Sequence, residues 1–244
     1  MVERAILRVY LDTPKVSGSV CFMTFLECLA FPLSGHTTRL PLGKKNELRK
    51  ILTLTRVSTA GKVIERRSFA RILINNDLQA MLLGRSGFFF HGDLMHLNQI
   101  SVAAKDSLHW KQGDLLISAR HLSTVFLYRP STDKILWKMT GPWLNQHAAE
   151  FVDDHRISVF DNNIIGGAPV SQPFVEPNDI NRVFVYDFDT RQTSQPFANL
   201  LAKARPVTIT EGRARILPDV DFLWKKQITA DICASRGTAS CGRA

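Results

Sequence analysis

Short runs of alternating apolar and polar residues, broken by Gly, Pro, Asp and Thr turns, occupy most of the chain. ELRKILTLTRVSTAGKVIERRSF (47–69) reads as a strand, a Ser-Thr-Ala-Gly turn and a returning strand. GDLLISARHLSTVFLYRPSTDKILWKM (113–139) holds three more, Leu115–Ala119, Thr124–Tyr128 and Ile135–Met139, with hairpin chemistry in PSTDK between the last two. HRISVFDNN (155–163) and NRVFVYDFDTRQTSQPF (181–197) repeat the theme, with DTRQ (189–192) in the place of STDK (131–134). Only DLQAMLLG (77–84) reads as helix, and the Gly- and Pro-rich IIGGAPVSQPFVEPNDI (164–180) reads as a loop between strands. Antiparallel units recurring at a period of about 40–50 residues are the signature of propeller blades. The expected fold class is therefore all-β, a β-propeller. A sandwich is the alternative, but it would not place polar clusters at the same strand ends in successive units.

Composition narrows the class of partner. Apolar residues make up 45% and charged residues 22%, ordinary globular values that argue against wholesale disorder. Lys plus Arg (31) exceeds Asp plus Glu (22), a formal charge of +9 that favours anionic partners. The basic residues are scattered, and the densest runs, GKKNELRK (43–50) and GKVIERR (61–67), lack interleaved aromatics, so nucleic acid is not the expected partner. Cys21, Cys28, Cys233 and Cys241 show no C-x-x-C spacing and staple nothing in the body of the chain. Neither a metal site nor a disulfide framework is expected.

The most apolar stretch, VCFMTFLECLAFPL (20–33), contains Glu27 and ends at a proline, too short and too polar for a membrane span. It reads as a buried strand or helix. Because Arg4, Arg8 and Lys15 precede it, a signal or anchor derived from residues 16–35 is the other reading, implying a periplasmic or membrane-anchored chain rather than a cytoplasmic one. Oligomeric state has no signature in the sequence.

Polar clusters recur at corresponding places in the units. His96 and Asn98 stand two apart in DLMHLNQI, which in a strand puts both on one face. Arg120 ends a strand, His147 follows Gln146, and Asn162 and Asn163 end the strand after it. Together these side chains suit an anionic head with tetrahedral oxygens: a guanidinium fork, neutral amide donors, and a histidine as nucleophile or acid/base. Each also has an ordinary reading. His96 can be a structural histidine, Arg120 can pair with Asp114 or another carboxylate, Asn162 and Asn163 can be turn formers, and Trp137 and Trp143 can be core. His36, His91, His109, His121 and His155 read as surface residues.

DLMHLNQI (93–100), GDLLISARHLSTVFLYRPSTDKILWKMTGPWLNQHAAEF (113–151) and RISVFDNN (156–163) resemble the arylsulfotransferase propeller family, and NRVFVYDFDT and VTITEGRARILPD continue the match over about residues 75–222. The resemblance implies a six-bladed propeller that moves a sulfuryl group from a phenolic sulfate ester to a phenol, with no cofactor, through a transiently sulfated histidine. It makes His96, His147 and Arg120 the catalytic candidates, and Asn98, Asn162, Asn163 and Arg182 the substrate-binding ones. The family's sulfated histidine falls on a late blade, whereas this chain has no histidine after His155. Either His147 or His96 then serves as nucleophile, or the protein is a non-catalytic propeller that binds an anionic ligand or a protein partner.

Three segments are expected: a poorly defined residues 1–45, blades over 46–222, and an aberrant or disordered tail over 223–244. LWKKQITADICASRGTASCGRA has no strand pattern, and a frame shifted by one base at Leu223 permits Val-Glu-Glu-Thr-Asn-Tyr-Gly-Arg, the continuation the resemblance implies. A frameshift near Leu223, leaving a truncated propeller, is the expectation.

Overall fold

The computed structural model describes residues 19–25, 52–58, 60–83, 95–167, 174–209, 212–216, 222–225, 231–235 and 239–243. The chain divides into two units, Met1–His96 and Leu97–Ala244.

In the first unit, β1 (Ser19–Phe25), β2 (Leu52–Ser58) and β3 (Val63–Ser68) form an antiparallel sheet in that order. The apolar stretch near the amino terminus thus contributes a strand, and no helix among the described residues is long and apolar enough to cross a membrane. The sequence reading carries β3 through Phe69, but the chain turns there into α1 (Phe69–Asn75). Ser68 caps it by accepting from the Arg71 amide, and Phe69, Ile72 and Leu73 fall on one helical face, all buried. The helix of one or two turns expected within 77–84 is a single turn, α2 (Ala80–Leu83).

The second unit holds successive four-stranded antiparallel sheets. The first runs β4 (Leu97–Val102), β5 (Leu115–Ala119), β6 (Thr124–Arg129) and β7 (Lys134–Thr140), in chain order. In the second, β8 (Ala148–Phe151) and β9 (Arg156–Asp161) are followed by a separate hairpin, β10 (Ile164–Gly167) and β11 (Phe174–Pro177). The chain then rejoins that sheet as β12 (Arg182–Asp187) and β13 (Gln192–Ser194). After α3 (Ala198–Ala204) comes the third sheet: β14 (Arg213–Ile216), β15 (Phe222–Lys225), β16 (Asp231–Ser235) and β17 (Ala239–Arg243). Residues 222–243, which show no strand pattern in the sequence, therefore supply three strands that pair outward from β14.

Burial shows why these strands stack as blades. All five residues of β5 are buried, whereas β7 alternates exposed and half-buried side chains, as an outer strand should. In the middle sheet the two faces serve two neighbours. Ala149, Ile157, Val159, Phe184 and Tyr186 pack with Leu116, Val125 and Trp143 of the preceding blade. Ala148, Phe160 and Val183 pack with Ala214 of the following blade and with Phe197 and Leu201 of α3. A sheet covered on both sides must be apolar on both, so its strands lose the clean period of two. The architecture is all-β and of the β-propeller class.

Gly113 and Asp114 have a local task. Gly113 turns the chain at φ +88, and the buried Asp114 carboxylate accepts from the Lys111 amide and takes the Arg129 guanidinium at 2.7–3.1 Å. The carboxylate considered for Arg120 is therefore committed to Arg129 instead. Trp143 is fully buried core, and Trp137 packs at 5.0 Å from the rings of both Tyr186 and Phe188.

Candidate functional site

Strand register gathers one set of termini at one end of the second unit. Leu97 pairs with Ala119, Ala148 with Phe160, and Arg182 with Asp161. The residues flanking these pairs, Asn98, Arg120, His147, Asn162 and Arg182, consequently share that end. The antiparallel ladder aligns them within each sheet, and the Asn98 Nδ2 bond to the Gln146 carbonyl links the two sheets at that end.

Asn98 reaches the cluster differently from the sequence argument. The register shifts between Leu97 and Gln99, so Asn98 is the extra residue of a β-bulge. His96 has φ +47 and is not extended. Period-two alternation therefore does not apply across 96–98: the bulge aims Asn98, whose Nδ2 donates to the Gln146 carbonyl at 2.9 Å. His96 is the last residue of the first unit and is half-buried.

Arg120 opens a single 3-10 turn after β5 and is only 8% exposed. One Nη2 hydrogen bond, 3.0 Å to the Ile209 carbonyl, holds it. Its Nε has no hydrogen-bond partner, and no carboxylate pairs with it among the described residues. Burial without a counter-charge pulls its pKa below the ordinary guanidinium value.

Gln146, fully buried, is the residue that the sequence reading passed over. Its Nε2 donates to Ser118 Oγ, Ala119 O and Thr124 O at 3.0–3.2 Å, and its Oε1 has no hydrogen-bond partner among the described residues. That amide ties the start of β8 to the end of β5. The next residue, His147, is half-buried and held by its amide to the Phe160 carbonyl at 3.0 Å. Arg120 and His147 are thus each fixed by backbone on either side of one buried amide.

Asn162 and Asn163 divide. Asn162 donates to the Thr208 carbonyl and hydroxyl at 3.0 and 2.8 Å, and Asn181 donates to the Asn162 carbonyl at 2.9 Å and to the Thr208 carbonyl at 3.2 Å. This amide–hydroxyl network belongs to the cluster. Asn163 is a turn former: φ is +54, its amide donates to Asp161 Oδ1, and its side chain donates to the Ile180 carbonyl. Arg182 gives its Nε and Nη2 to Asp161 Oδ2 at 2.8 and 2.7 Å, and its guanidinium lies 5.2 Å from the Phe184 ring. Burial pushes the fully enclosed Asp161 carboxyl up, against the pull of Arg182 and the Asn163 and Leu144 amides. Arg182 is therefore engaged in holding β9 and β12 together, leaving Arg120 as the buried guanidinium of the cluster without a carboxylate.

The opposite strand ends carry a different chemistry. His155 and His109, read from the sequence as surface residues, are half-buried and paired with acids: His155 Nδ1 with Asp154 at 2.7 Å, its Nε2 with Asp187 at 3.8 Å, and His109 Nε2 with Asp189 at 2.7 Å. The Asp154 hydrogen bond, with Asp153 and Asp187 nearby, raises the His155 pKa above 6.5. A raised folded-state pKa stabilises fully below the unfolded value and loses that contribution as pH rises through the folded one. We expect a proton-detected titration of His155 to give a midpoint above 6.5, and His155→Gln to flatten the fall in stability between that pH and the folded midpoint. A midpoint at or below 6.5 would remove this clasp from the account.

The stacked blades define a β-propeller-type protein. The family described as Arylsulfotransferase (ASST) matches residues 39–235, and the chain belongs to that family. No curated protein matches it. Among solved structures, the β-propeller domain of Cps50 (Swd1) from Myceliophteria thermophila aligns at 11% identity and a TM-score of 0.33, over 75% of this chain. The chain spans 58% of the length of that structure.

Proposed function

We propose that the protein transfers a sulfuryl group from a phenolic sulfate ester to a phenol, with Arg120 binding the sulfuryl oxygens and His147 as nucleophile. The observation that carries this reading is the buried Arg120, with no carboxylate among the described residues and a spare Nε. An enclosed guanidinium without a counter-ion is costly, and a tetrahedral anion restores both charge and hydrogen bonding. Asn98, which spends one Nδ2 hydrogen on the Gln146 carbonyl, offers the anion a neutral amide donor, while Asn162 commits both of its Nδ2 hydrogens to Thr208 and orders the segment that holds Arg120. Arg182 and Asn163 act through Asp161, as positioning residues.

In the first half-reaction the imidazole nitrogen attacks sulfur, the N–S bond forms, and the S–O bond to the aryl oxygen breaks. The phenolate departs with the electron pair and takes a proton from solvent. In the second, the acceptor phenol oxygen attacks sulfur, the N–S bond breaks, and the acceptor's proton is released to solvent. Arg120 neutralises charge that shifts among the sulfuryl oxygens in both directions.

The test is transfer from p-nitrophenyl sulfate to phenol by the full chain, its His147→Ala variant and its His96→Ala variant. Wild type should form phenyl sulfate, with at least a ~100-fold loss in His147→Ala. Equal activity of His147→Ala and wild type, with loss in His96→Ala, would move the nucleophile. A folded wild type that binds aryl sulfate but transfers nothing leaves the non-catalytic binder.

A further inference from the structure

Eight large hydrophobic side chains are exposed among the described residues, and four of them lie at the same end as Arg120: Leu144, Val207 and Ile209 in connections, and Ile165 at the start of β10. We propose that these four form the aliphatic wall that receives the ring of the sulfate ester, selecting donors and acceptors with apolar aryl groups. This rests on the proposed function and adds its specificity determinants.

Two independent pieces of local geometry fix the wall. Thr208 is 3% exposed and turned inward, its carbonyl and hydroxyl accepting from Asn162 Nδ2. Its neighbours Val207 and Ile209 are 37% and 41% exposed, so the side chains on either side of the buried Thr208 face solvent. The Ile209 carbonyl is also the group that holds Arg120 Nη2, so its aliphatic side chain leaves the backbone directly beside the guanidinium anchor. On the second side, the Ile164 amide donates to the Leu144 carbonyl at 3.3 Å and Asn145 Nδ2 donates to the Ile164 carbonyl at 2.8 Å. That stitch brings the Leu144 connection against the start of β10, where Ile165 is 40% exposed.

Aliphatic side chains beside a buried cation are an amphipathic arrangement, and it selects its occupant. An inorganic anion uses the guanidinium alone and leaves the wall wet. An aryl sulfate uses both, since its charged head and its ring are joined through one oxygen. Covering about 80 Å² of ring corresponds to an affinity gain of about 30-fold over a sulfate ester without one.

The experiment compares phenyl sulfate with methyl sulfate by calorimetry, using the full chain, the double variant Val207→Thr/Ile209→Thr, and Leu108→Thr. Leu108, 95% exposed in the β4–β5 connection at the opposite end, is the control. Wild type and Leu108→Thr should prefer phenyl sulfate by about 30-fold, and the double variant by less than about 5-fold, with methyl sulfate affinity unchanged. All substituted side chains are exposed, so circular dichroism should match wild type. Methyl sulfate binding with no preference for the ring, or a preference intact in the double variant, overturns the wall alone. Failure of the folded wild type to bind either ester overturns the anion reading and the wall with it.

Discussion

Arg120→Met should abolish sulfate-ester turnover, lowering kcat/KM at least ~100-fold, while leaving the stability of the chain within about 1 kcal/mol of wild type. The two halves of that result distinguish function from structure. Removing Arg120 forfeits one hydrogen bond, Nη2 to the Ile209 carbonyl, worth about 1 kcal/mol. It also removes a cation that sits 8% exposed with no carboxylate among the described residues, which offsets that loss. A structural arginine behaves otherwise: Arg129, locked to the buried Asp114 by Nε and Nη2, belongs to a pair whose breakage leaves a buried charge and costs on the order of 3 kcal/mol. Urea denaturation and steady-state kinetics on the same preparation read both numbers. A loss of stability on that scale for Arg120→Met, or turnover within a few-fold of wild type, would make Arg120 a scaffold residue.

Gly212→Ala should cost about 3 kcal/mol. Gly212 adopts φ +131, a region that side chains rarely enter. A Cβ there would also stand 2.8 Å from Cζ of Phe160 and 3.0 Å from Thr208 Oγ1. Phe160 is packed between Ala148 and Ala214 and cannot retreat cheaply. Thr208 Oγ1 is the acceptor for Asn162 and donates to Asn181 Oδ1 at 3.1 Å, so the strain passes directly into the candidate site. The denaturation midpoint should fall, and weakened phenyl sulfate binding should accompany it at temperatures where the variant is still folded. A change in stability below about 0.5 kcal/mol would show that the Gly212 segment is not held as described.

What the sequence disclosed follows from where each signal is local. The strands β5, β6 and β7 were legible because short apolar runs, the alternation of β7 and a Pro-Asp turn are written in consecutive residues. Helix α1 was not: FARILIN follows directly on a β run, and Ser68 as its cap reads equally as the end of a strand. Helix α3 likewise carries no side-chain cap. At the candidate site, Arg120, His147 and Asn162 could be read from recurrence at strand ends. Three other features depend on tertiary geometry: the bulge that aims Asn98, the Gln146 amide spanning two blades, and the Thr208–Asn181 network. The partners of Gln146 are 22–28 residues away and those of Asn162 are 46 away. Arg182 shows the same limit in reverse, since its strand-opening position matched a binding arginine while Asp161, its actual partner, lay 21 residues earlier.

A sulfated histidine is the intermediate of the proposed transfer, and intact-mass spectrometry of the full chain detects it directly after incubation with p-nitrophenyl sulfate in the absence of acceptor. The expected result is a single sulfuryl adduct, mapped to His147, formed together with stoichiometric p-nitrophenolate. Added phenol should discharge it as phenyl sulfate, and His147→Ala should never acquire it. A folded chain that binds the ester yet releases no p-nitrophenolate and carries no adduct would contradict the proposed transfer.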